Sequence, residues 1–352
     1  MPARPDTASA REILAQRLLR QASWCDDLGS PFYGSLLRSA AQDLNAEGAV
    51  WCVLSGFEGE NGSAALALRL MGAVHRLVLM GKMPELARRY PSVGGDGDAQ
   101  ATWPAFKKAL RGSRSELRKL LPGGCQTNEV GRSAALLGGF LEVAHRTRNR
   151  LRILEIGASA GLNLRWDHYR YESGTGGWGH LSSPVRFTNA FEVPPLLNRR
   201  AEIAGRKGCD LEPIDPTSPD GSLALRSFVW ADQRHRFQLL EAAIAVAQQV
   251  PVEVERMDAA EFLERELASS RTGVATVVYH SVFMQYVSAR GQARIALALD
   301  SAAARATSDG PLAYLRMEPG AQSFEVRLTL WPGGGDELLA LTRAHGTGVR
   351  WL

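Results

Sequence analysis

Short apolar, β-branched runs alternate with longer stretches of helical periodicity after residue 150. The predicted strands of this alternation are 151–156, 185–192, 252–257, 274–280 and 311–317. Strands that alternate with helices form βαβ units, whose strands are parallel. Near the end of the chain, the runs 324–331 and 337–345 are separated by the turn PGGGD without a helix. This spacing predicts a parallel sheet that ends in a C-terminal antiparallel hairpin.

Helical patterns occupy the intervals between these predicted strands. They cover about 160–171, 195–207, 230–249, 259–269 and 283–306. The segment 208–228 interrupts the alternation, and we interpret it as an insertion. Together these patterns predict an α/β domain over residues 150–352.

The first 149 residues are mostly helical in pattern. Apolar residues recur at intervals of three and four in 10–28, 63–80 and 129–148. The run 49–57 fits either a strand or a buried helix, because periodicity does not separate the two. The segment 88–104, with two prolines and three glycines, predicts a loop. We therefore predict a helical N-terminal domain over residues 1–149.

Composition and charge limit the classes of function. The chain is 45% hydrophobic and 22% charged, values typical of a soluble globular protein. Its net charge of +4 is scattered, so nucleic-acid binding is not indicated. The most apolar segment, 273–287, is shorter than the roughly 20 residues that span a bilayer, and the first residues lack the apolar stretch of a signal peptide. We expect a cytoplasmic protein without a membrane partner.

Cysteine and histidine spacing gives no sign of a metal site. The four cysteines form no C-x-x-C pair, and the seven histidines form no H-E-x-x-H arrangement. We therefore predict reduced cysteines and no bound metal.

The stretch GASAG at 157–161 follows the first predicted strand of the α/β domain and has more than one interpretation. A glycine loop between a strand and a helix, preceded by an acid at Glu155, is how a cofactor-binding loop is built. Its small residues let the backbone approach a ligand closely. A tight turn without any ligand is the simpler alternative.

The same letters also spell G-x-S-x-G, the nucleophile elbow of an α/β-hydrolase, in which a strained turn exposes a serine. Ser159, then Asp258 or Glu318, then His345 follow the hydrolase order of nucleophile, acid and base. An elbow is normally preceded by several strands, whereas 151–156 is the first convincing strand here. The hydrolase remains an alternative.

Several stretches carry a resemblance to known families. The stretch ILEIGASAG at 153–161 resembles motif I of class I S-adenosylmethionine-dependent methyltransferases. Five longer stretches, 126–141, 154–171, 208–215, 228–233 and 315–320, resemble an uncharacterised bacterial domain-of-unknown-function family, DUF2332, within the methyltransferase-like superfamily. This likeness covers nearly the whole chain. It implies a Rossmann-like methyltransferase sheet, with parallel strands plus the C-terminal antiparallel hairpin.

The resemblance also implies the cofactor S-adenosylmethionine and the residues that hold it. Motif I residues would surround its methionine and ribose parts: Glu155, Gly157, Ala158, Ser159, Gly161 and Asn163. An acid that ends the second strand would hold the ribose hydroxyls, either Glu192 or, if that strand lies later, Asp210. Asp258, with Ala259 beside it, would meet the adenine amine, and Asp258 also begins a capping box.

Candidates for catalysis lie at two places. His280 ends the fourth predicted strand, where it is either a general base or a structural histidine. Polar residues also cluster at the start of the helix before the first strand: Gln126, Thr127, Asn128, Glu129 and Arg132. Asn128 and Glu129 are our candidates there, although Thr127 or Asn128 would also serve as a helix cap.

Two departures from the methyltransferase pattern bear on the acceptor. Ser159 stands where the family prefers a third glycine. The stretch HSVF at 280–283 stands where amine methyltransferases often carry Asn or Asp, two prolines and an aromatic residue. The class of acceptor is therefore left open by the sequence.

The function we predict is transfer of a methyl group from S-adenosylmethionine to a small-molecule acceptor. The N-terminal helices would cover the site and select the acceptor. The alternatives are a serine esterase of the α/β-hydrolase type using Ser159 and a non-catalytic cofactor-binding protein. The oligomeric state is not indicated.

Overall fold

The structure, a computed structural model, describes residues 7–60, 65–125, 127–174 and 176–352. The chain divides into two compact units. Unit 1 comprises Met1–Thr127 and Pro219–Gln238, and unit 2 comprises Asn128–Ser218 and Leu239–Leu352. This division differs from the predicted boundary after residue 149 in two segments, 128–149 and 219–238.

The described helices and strands are as follows. The helices are α1 (Thr7–Asp27), α2 (Pro31–Asn45), α3 (Ala49–Leu54), α4 (Leu66–Leu79), α5 (Pro84–Ala87), α6 (Ala99–Gly112), α7 (Arg114–Leu120), α8 (Arg132–Thr147), α9 (Pro219–Phe228), α10 (Arg234–Gln249), α11 (Ala259–Glu266) and α12 (Ala289–Ala303). The strands are β1 (Arg150–Ile156), β2 (Arg170–Ser173), β3 (Gly176–Gly179), β4 (Arg186–Phe187), β5 (Phe191–Val193), β6 (Ile203–Asp210), β7 (Val254–Arg256), β8 (Val274–Ser281), β9 (Leu312–Pro319), β10 (Phe324–Trp331), β11 (Asp336–Thr342) and β12 (Val349–Trp351).

Unit 1 is helical in its described part. The ambiguous run 49–57 contains α3, and the predicted loop 88–104 contains a short 3₁₀ turn and the start of α6. Two contacts show why 219–238 belongs to this unit. Gly72 of α4 lies under the ring of Phe228, which a Cβ at that position would meet at 2.9 Å. The carboxylate of Asp232 accepts the backbone N–H of Phe32 at 3.1 Å, at the start of α2.

Unit 2 is built on a mixed sheet with nine strands in the described part of the chain. Their order is β5-β12-β11-β10-β9-β8-β1-β6-β7. The strands from β9 through β8, β1 and β6 to β7 are parallel, whereas β9, β10, β11 and β12 are antiparallel to their neighbours in turn. The prediction of an α/β domain with parallel strands and a C-terminal antiparallel hairpin is confirmed at this level.

The second strand of the parallel sheet was predicted at the wrong place. The run 185–192 contains only the short strand β4 and the first two residues of β5, and β5 pairs with β12 at one edge of the sheet. The strand beside β1 is β6, whose first half we predicted to be a helix over 195–207. Its sequence IAGRKGCD has few apolar residues, so its extended state depends on pairing with β1 and β7.

The predicted helix over 160–171 was also wrong. The chain forms a 3₁₀ segment over Asn163–His168 and continues into β2 of a small sheet with the order β3-β2-β4. Trp166 of the 3₁₀ segment stacks on Phe140 of α8, with ring centroids 4.4 Å apart, and on Trp178 of β3. The apolar residues whose spacing resembled that of a helix therefore contribute to an aromatic cluster.

Helices pack against the nine-stranded sheet. Leu154 and Ile156 of β1 form a core with α11 and α12. Helix α8 packs closely on β9, because Gly139 lies against the side chain of Leu315 and a Cβ there would overlap it. Six of the seven residues of β1 are buried.

We predict that Gly139→Val lowers the free energy of unfolding by about 1–3 kcal/mol, because the added side chain overpacks the contact between α8 and the fully buried Leu315. Urea unfolding followed by circular dichroism measures the effect. Gly112→Val is the control, since a Cβ at Gly112 meets nothing within 4 Å. Equal losses in the two variants would contradict the close packing of α8.

Candidate functional site

The order of the parallel strands reverses at β1. From β1 the sheet continues to β6 and β7 on one side, and the chain then returns to place β8 and β9 on the other side. In open α/β sheets, ligands bind at such a reversal, in the crevice outside the carboxyl ends of the strands. At this place the loop after β1, residues 157–162, lies beside the turn after β8, residues 282–284. We call these the glycine loop and the β8 turn.

The glycine loop turns through three residues with left-handed backbone. The φ angles are +68° at Gly157, +53° at Ser159 and +65° at Gly161. A Cβ at Gly157 would overlap the ring of Phe283, and one at Gly161 would lie 2.8 Å from Val254. Ser159 adopts a conformation that glycine adopts without strain. This explains the preference for glycine at this position in the methyltransferase motif that the stretch resembles.

Asp210 at the end of β6 holds the glycine loop. Its Oδ2 accepts the backbone N–H of Ser159 at 2.9 Å, and its Oδ1 accepts the N–H of Glu212 at 2.9 Å. Further backbone hydrogen bonds join the glycine loop to the end of β6 and the segment after it. The N–H of Ala158 donates to the carbonyl of Cys209, and the N–H of Ile214 donates to the carbonyl of Ser159. Of the two acids considered for the ribose, Asp210 is the one at this site.

Glu192 lies elsewhere, because it belongs to β5 at the edge of the sheet. Five strands, β12, β11, β10, β9 and β8, separate β5 from β1. The Glu192 side chain is 56% exposed and lies 3.6 Å from Arg343. The misplaced second strand is the reason that Glu192 was chosen from the sequence.

Glu155 is buried beneath the glycine loop, with 2% of its surface exposed. The hydroxyl of Tyr279 donates to its Oε2 at 3.1 Å. Burial raises the pKa of Glu155 to about 8, and the charge of Asp210 adds to the rise, while Tyr279, Arg132 and Arg165 oppose it. At neutral pH the carboxyl is therefore mainly protonated.

The polar segment before α8 contacts the glycine loop. Asn128 Oδ1 accepts the N–H of Leu162 at 2.8 Å. Asn163 Oδ1 accepts the hydroxyl of Ser133 at 2.7 Å, and its Nδ2 donates to the carbonyl of Glu129 at 3.2 Å. The structure thus brings Asn128, Glu129 and Asn163 together.

Capping of α8 differs from the expectation. Gly131 occupies the N-cap position, without a side-chain cap, so neither Thr127 nor Asn128 caps the helix. The carboxyl of Glu129 instead accepts the N–H of Gly131 at 3.3 Å. Gln126 lies outside the described residues.

Asp258 follows β7 and caps α11, as the capping-box pattern predicted. Its Oδ1 accepts the N–H groups of Ala260 at 3.0 Å and Glu261 at 3.2 Å. Its side chain is 46% exposed and lies 3.4 Å from Arg294. Ala259 beside it is buried. Because β7 is parallel to β6, Asp258 lies at the same edge of the sheet as Asp210.

His280 is fully buried within β8. Its Nδ1 lies 2.7 Å from Glu318 Oε1, and its Nε2 lies 2.7 Å from the hydroxyl of Tyr314. Because the imidazole has no exposed surface and both nitrogens have partners, His280 does not reach an acceptor directly in this structure. Tyr279 and Tyr314 were not singled out from the sequence, since only the register of β1, β8 and β9 reveals them.

The residues of the hydrolase order have separate roles. Glu318 binds His280, Asp258 caps α11, and His345 lies in the turn after β11. The backbone of Ser159 is held by Asp210 and Ile214. A 3₁₀ segment follows the glycine loop, whereas a nucleophile elbow leads into a helix.

The described ranges hold neither a cluster of metal ligands nor a helix suited to crossing a membrane. No group of three or more His, Cys, Asp or Glu side chains there is arranged to hold a metal ion. Among the helices of those ranges, none combines the length and the apolar character that crossing a membrane requires.

Comparison with known proteins identifies one family. The family model described as an uncharacterized protein conserved in bacteria (DUF2332) matches residues 15–351. The match therefore includes the glycine loop and all the strands of the nine-stranded sheet. No curated protein and no solved structure matches the chain.

We predict that burial of Glu155 makes stability depend on pH. The native state keeps the Glu155 proton up to about pH 8, whereas an unfolded glutamate loses it near its ordinary pKa of 4.5. The free energy of unfolding should therefore fall as pH rises between these values, by at most ~1.4 kcal/mol per pH unit from this group. Glu155→Gln should lose this contribution.

Urea unfolding of the wild type and Glu155→Gln at several pH values between about 5 and 9 measures the difference. We expect the difference in free energy of unfolding between the two proteins to change with pH up to about 8 and then to become constant. A difference in free energy of unfolding that stays constant across this pH range would mean that Glu155 is ionised in the native state.

Proposed function

The chain belongs to the DUF2332 family of bacterial proteins, and we propose that it binds S-adenosylmethionine and transfers the methyl group to a small-molecule acceptor. The binding site would lie at the carboxyl ends of β1, β6, β7 and β8. One observation carries the proposal: the glycine loop and the carboxylate of Asp210 meet at the reversal of strand order, joined by the bond from Ser159 N to Asp210 Oδ2. This is the edge where open α/β sheets bind nucleotide-like ligands.

The residues at this edge fit the ribose part of the cofactor. Each oxygen of Asp210 accepts one backbone N–H, and a carboxylate oxygen has a second lone pair. Asp210 therefore keeps acceptor capacity for two hydroxyl groups. Its bonds to the backbone also hold the carboxylate in place before any ligand arrives, which reduces the cost of ordering it on binding.

The adenine part would lie toward β7. Asp258 uses Oδ1 for the cap of α11, and about half of its side chain is exposed. Its exposed carboxylate is suited to accept the exocyclic amine of an adenine. Capping and ligand binding are compatible, because the cap already fixes the orientation of the side chain.

The charge near the glycine loop suits a cationic ligand. Glu155 and Asp210 interact unfavourably, which contributes to the raised pKa of Glu155. A positive charge nearby would favour the carboxylate of Glu155 and relieve this repulsion. We therefore expect a ligand that carries a sulfonium to bind more tightly as the pH approaches 8.

S-adenosylmethionine, when bound, supplies a methyl group that its sulfonium charge already activates. The chain would contribute to catalysis mainly by positioning the donor and the acceptor, since in-line transfer depends on holding the reactants in the correct geometry. The glycine loop, Asp210 and Asp258 would orient the donor. The buried segment around Asn128 and Glu129 would keep the glycine loop fixed through Leu162 and Asn163.

We predict that isothermal titration calorimetry detects saturable binding of S-adenosylmethionine and of its demethylated product. Asp210→Asn should weaken binding about tenfold to a hundredfold, because hydrogen bonds to a charged group contribute roughly 1.5–3 kcal/mol. Glu212→Gln is the matched control, since this neighbouring acid is exposed. Absence of binding to both ligands would remove the main support for the proposal, and equal affinity in Asp210→Asn would remove Asp210 from the site.

We also predict that Ser159 is not a nucleophile. Ser159→Gly should keep cofactor binding, because glycine adopts the observed φ of +53° more readily than serine. Ser159→Val should lose it, because a β-branched residue is strained in that conformation. A fluorophosphonate probe should leave the wild type unlabelled, and stoichiometric labelling that disappears in Ser159→Ala would instead favour the esterase.

A further inference from the structure

A chain of three polar side chains lies where β8 and β9 run side by side. Tyr314 and Glu318 of β9 contact the two nitrogens of His280, each at 2.7 Å. His280 has no exposed surface, whereas the Glu318 side chain is 20% exposed. The proposed methyl transfer does not use this chain directly, so its presence at the ligand edge of the sheet needs another explanation.

The protonation of the chain follows from its partners. Burial raises the pKa of Glu318, but hydrogen bonds from His280, Phe283 and Met284 and the charge of His280 outweigh burial, so that the net pKa is below the usual range. Glu318 is therefore a carboxylate at neutral pH and accepts from Nδ1 of His280. The other ring nitrogen, Nε2, is hydrogen bonded to the hydroxyl of Tyr314.

Glu318 also holds the β8 turn. Its Oε1 accepts the backbone N–H of Phe283 at 2.8 Å and that of Met284 at 3.3 Å. Val282 in the same turn has a φ of +53°, which is a strained conformation for a β-branched residue. Such strain persists only where the surroundings impose it, and it is found at functional sites.

The β8 turn places an aromatic ring on the glycine loop. The ring of Phe283 lies so close to Gly157 that a Cβ there would overlap it. His280 and Phe283 have ring centroids 5.9 Å apart. The network thus connects the buried imidazole, through one carboxylate, to the contact between Phe283 and the glycine loop.

We propose that His280 is a positioning residue for the cofactor site, acting through Glu318 to hold the strained β8 turn and to keep Phe283 against Gly157. The effect on cofactor affinity rests on the proposed function, whereas the effect on the turn does not. Without the imidazole, Glu318 loses the one side-chain donor among the three groups that bond to its Oε1. The turn then becomes less ordered, and part of the binding free energy must be spent on ordering it.

A purely structural role for His280 is the competing explanation. In that case, substitution would lower global stability without a specific effect on the β8 turn. The two explanations differ in hydrogen exchange at the amides of Phe283 and Met284, which Glu318 holds. They also differ in whether any loss of cofactor affinity depends on the ring of Phe283.

The experiment compares His280→Leu, His280→Asn and Tyr314→Phe with the wild type. Amide exchange at Phe283 and Met284 is measured by nuclear magnetic resonance, and affinity for S-adenosylmethionine by calorimetry. We expect His280→Leu to speed exchange of both amides at least tenfold and to weaken binding about tenfold. His280→Asn, whose amide can still donate to Glu318, should keep amide exchange and affinity close to the wild-type values. Tyr314→Phe should change each of these two quantities less than threefold.

A double-mutant cycle tests the route through the ring. In the Phe283→Ala background, His280→Leu should have no further effect on affinity, because coupled residues are not additive. Additive effects, or unchanged amide exchange in His280→Leu, would overturn the proposal. If His280→Leu does not fold, Glu318→Gln replaces it, since the variant keeps an acceptor oxygen but loses the charge, and it should speed exchange of the same amides.

The two proposals fail in different ways. If the wild type does not bind S-adenosylmethionine but the amides of the β8 turn respond as expected, the positioning role stands and the proposed function fails. If binding occurs and the amides do not respond to His280→Leu, the proposed function stands and the positioning role fails.

Discussion

Pairing of β1 on both sides is the constraint on which the candidate site depends. β1 is hydrogen bonded to β6 on one side and to β8 on the other, and six of its seven residues are buried. Pairing on both sides fixes the position of the end of β1 at Ile156, where the glycine loop begins. The reversal of strand order at β1 then brings the ends of β6 and β8 to either side of that loop.

Bonds to two carboxylates hold the backbone of the loops on either side of β1. Asp210 holds the backbone of Ser159 on the side of β6, and Glu318 holds the backbone of Phe283 on the side of β8. Both loops contain a residue other than glycine with left-handed backbone, Ser159 and Val282. Both of these residues, with the polar bonds of their loops, lie at the edge of the sheet where we place the ligand.

The sequence predicted the parts of the fold that local patterns encode. The apolar run of β1, the glycine loop and the capping box at Asp258 are local signals, and each was located correctly. The strand β6 was missed, because its sequence IAGRKGCD becomes extended through pairing with its neighbours. The burial of His280 was not predictable, because the register of β8 and β9 places Tyr314 and Glu318 around it. Glu192 was chosen over Asp210 for the same reason that β6 was missed.

A crystal structure of the protein grown with S-adenosylhomocysteine tests the proposed site. We expect density for the ligand across the carboxyl ends of β1, β6 and β7, with the ribose hydroxyls within hydrogen-bond distance of Asp210 and the adenine near Asp258. Phe283 should remain beside Gly157 and form one wall of the site. Density at another place in the fold, with Asp210 and the glycine loop free of ligand, would contradict the proposed binding site.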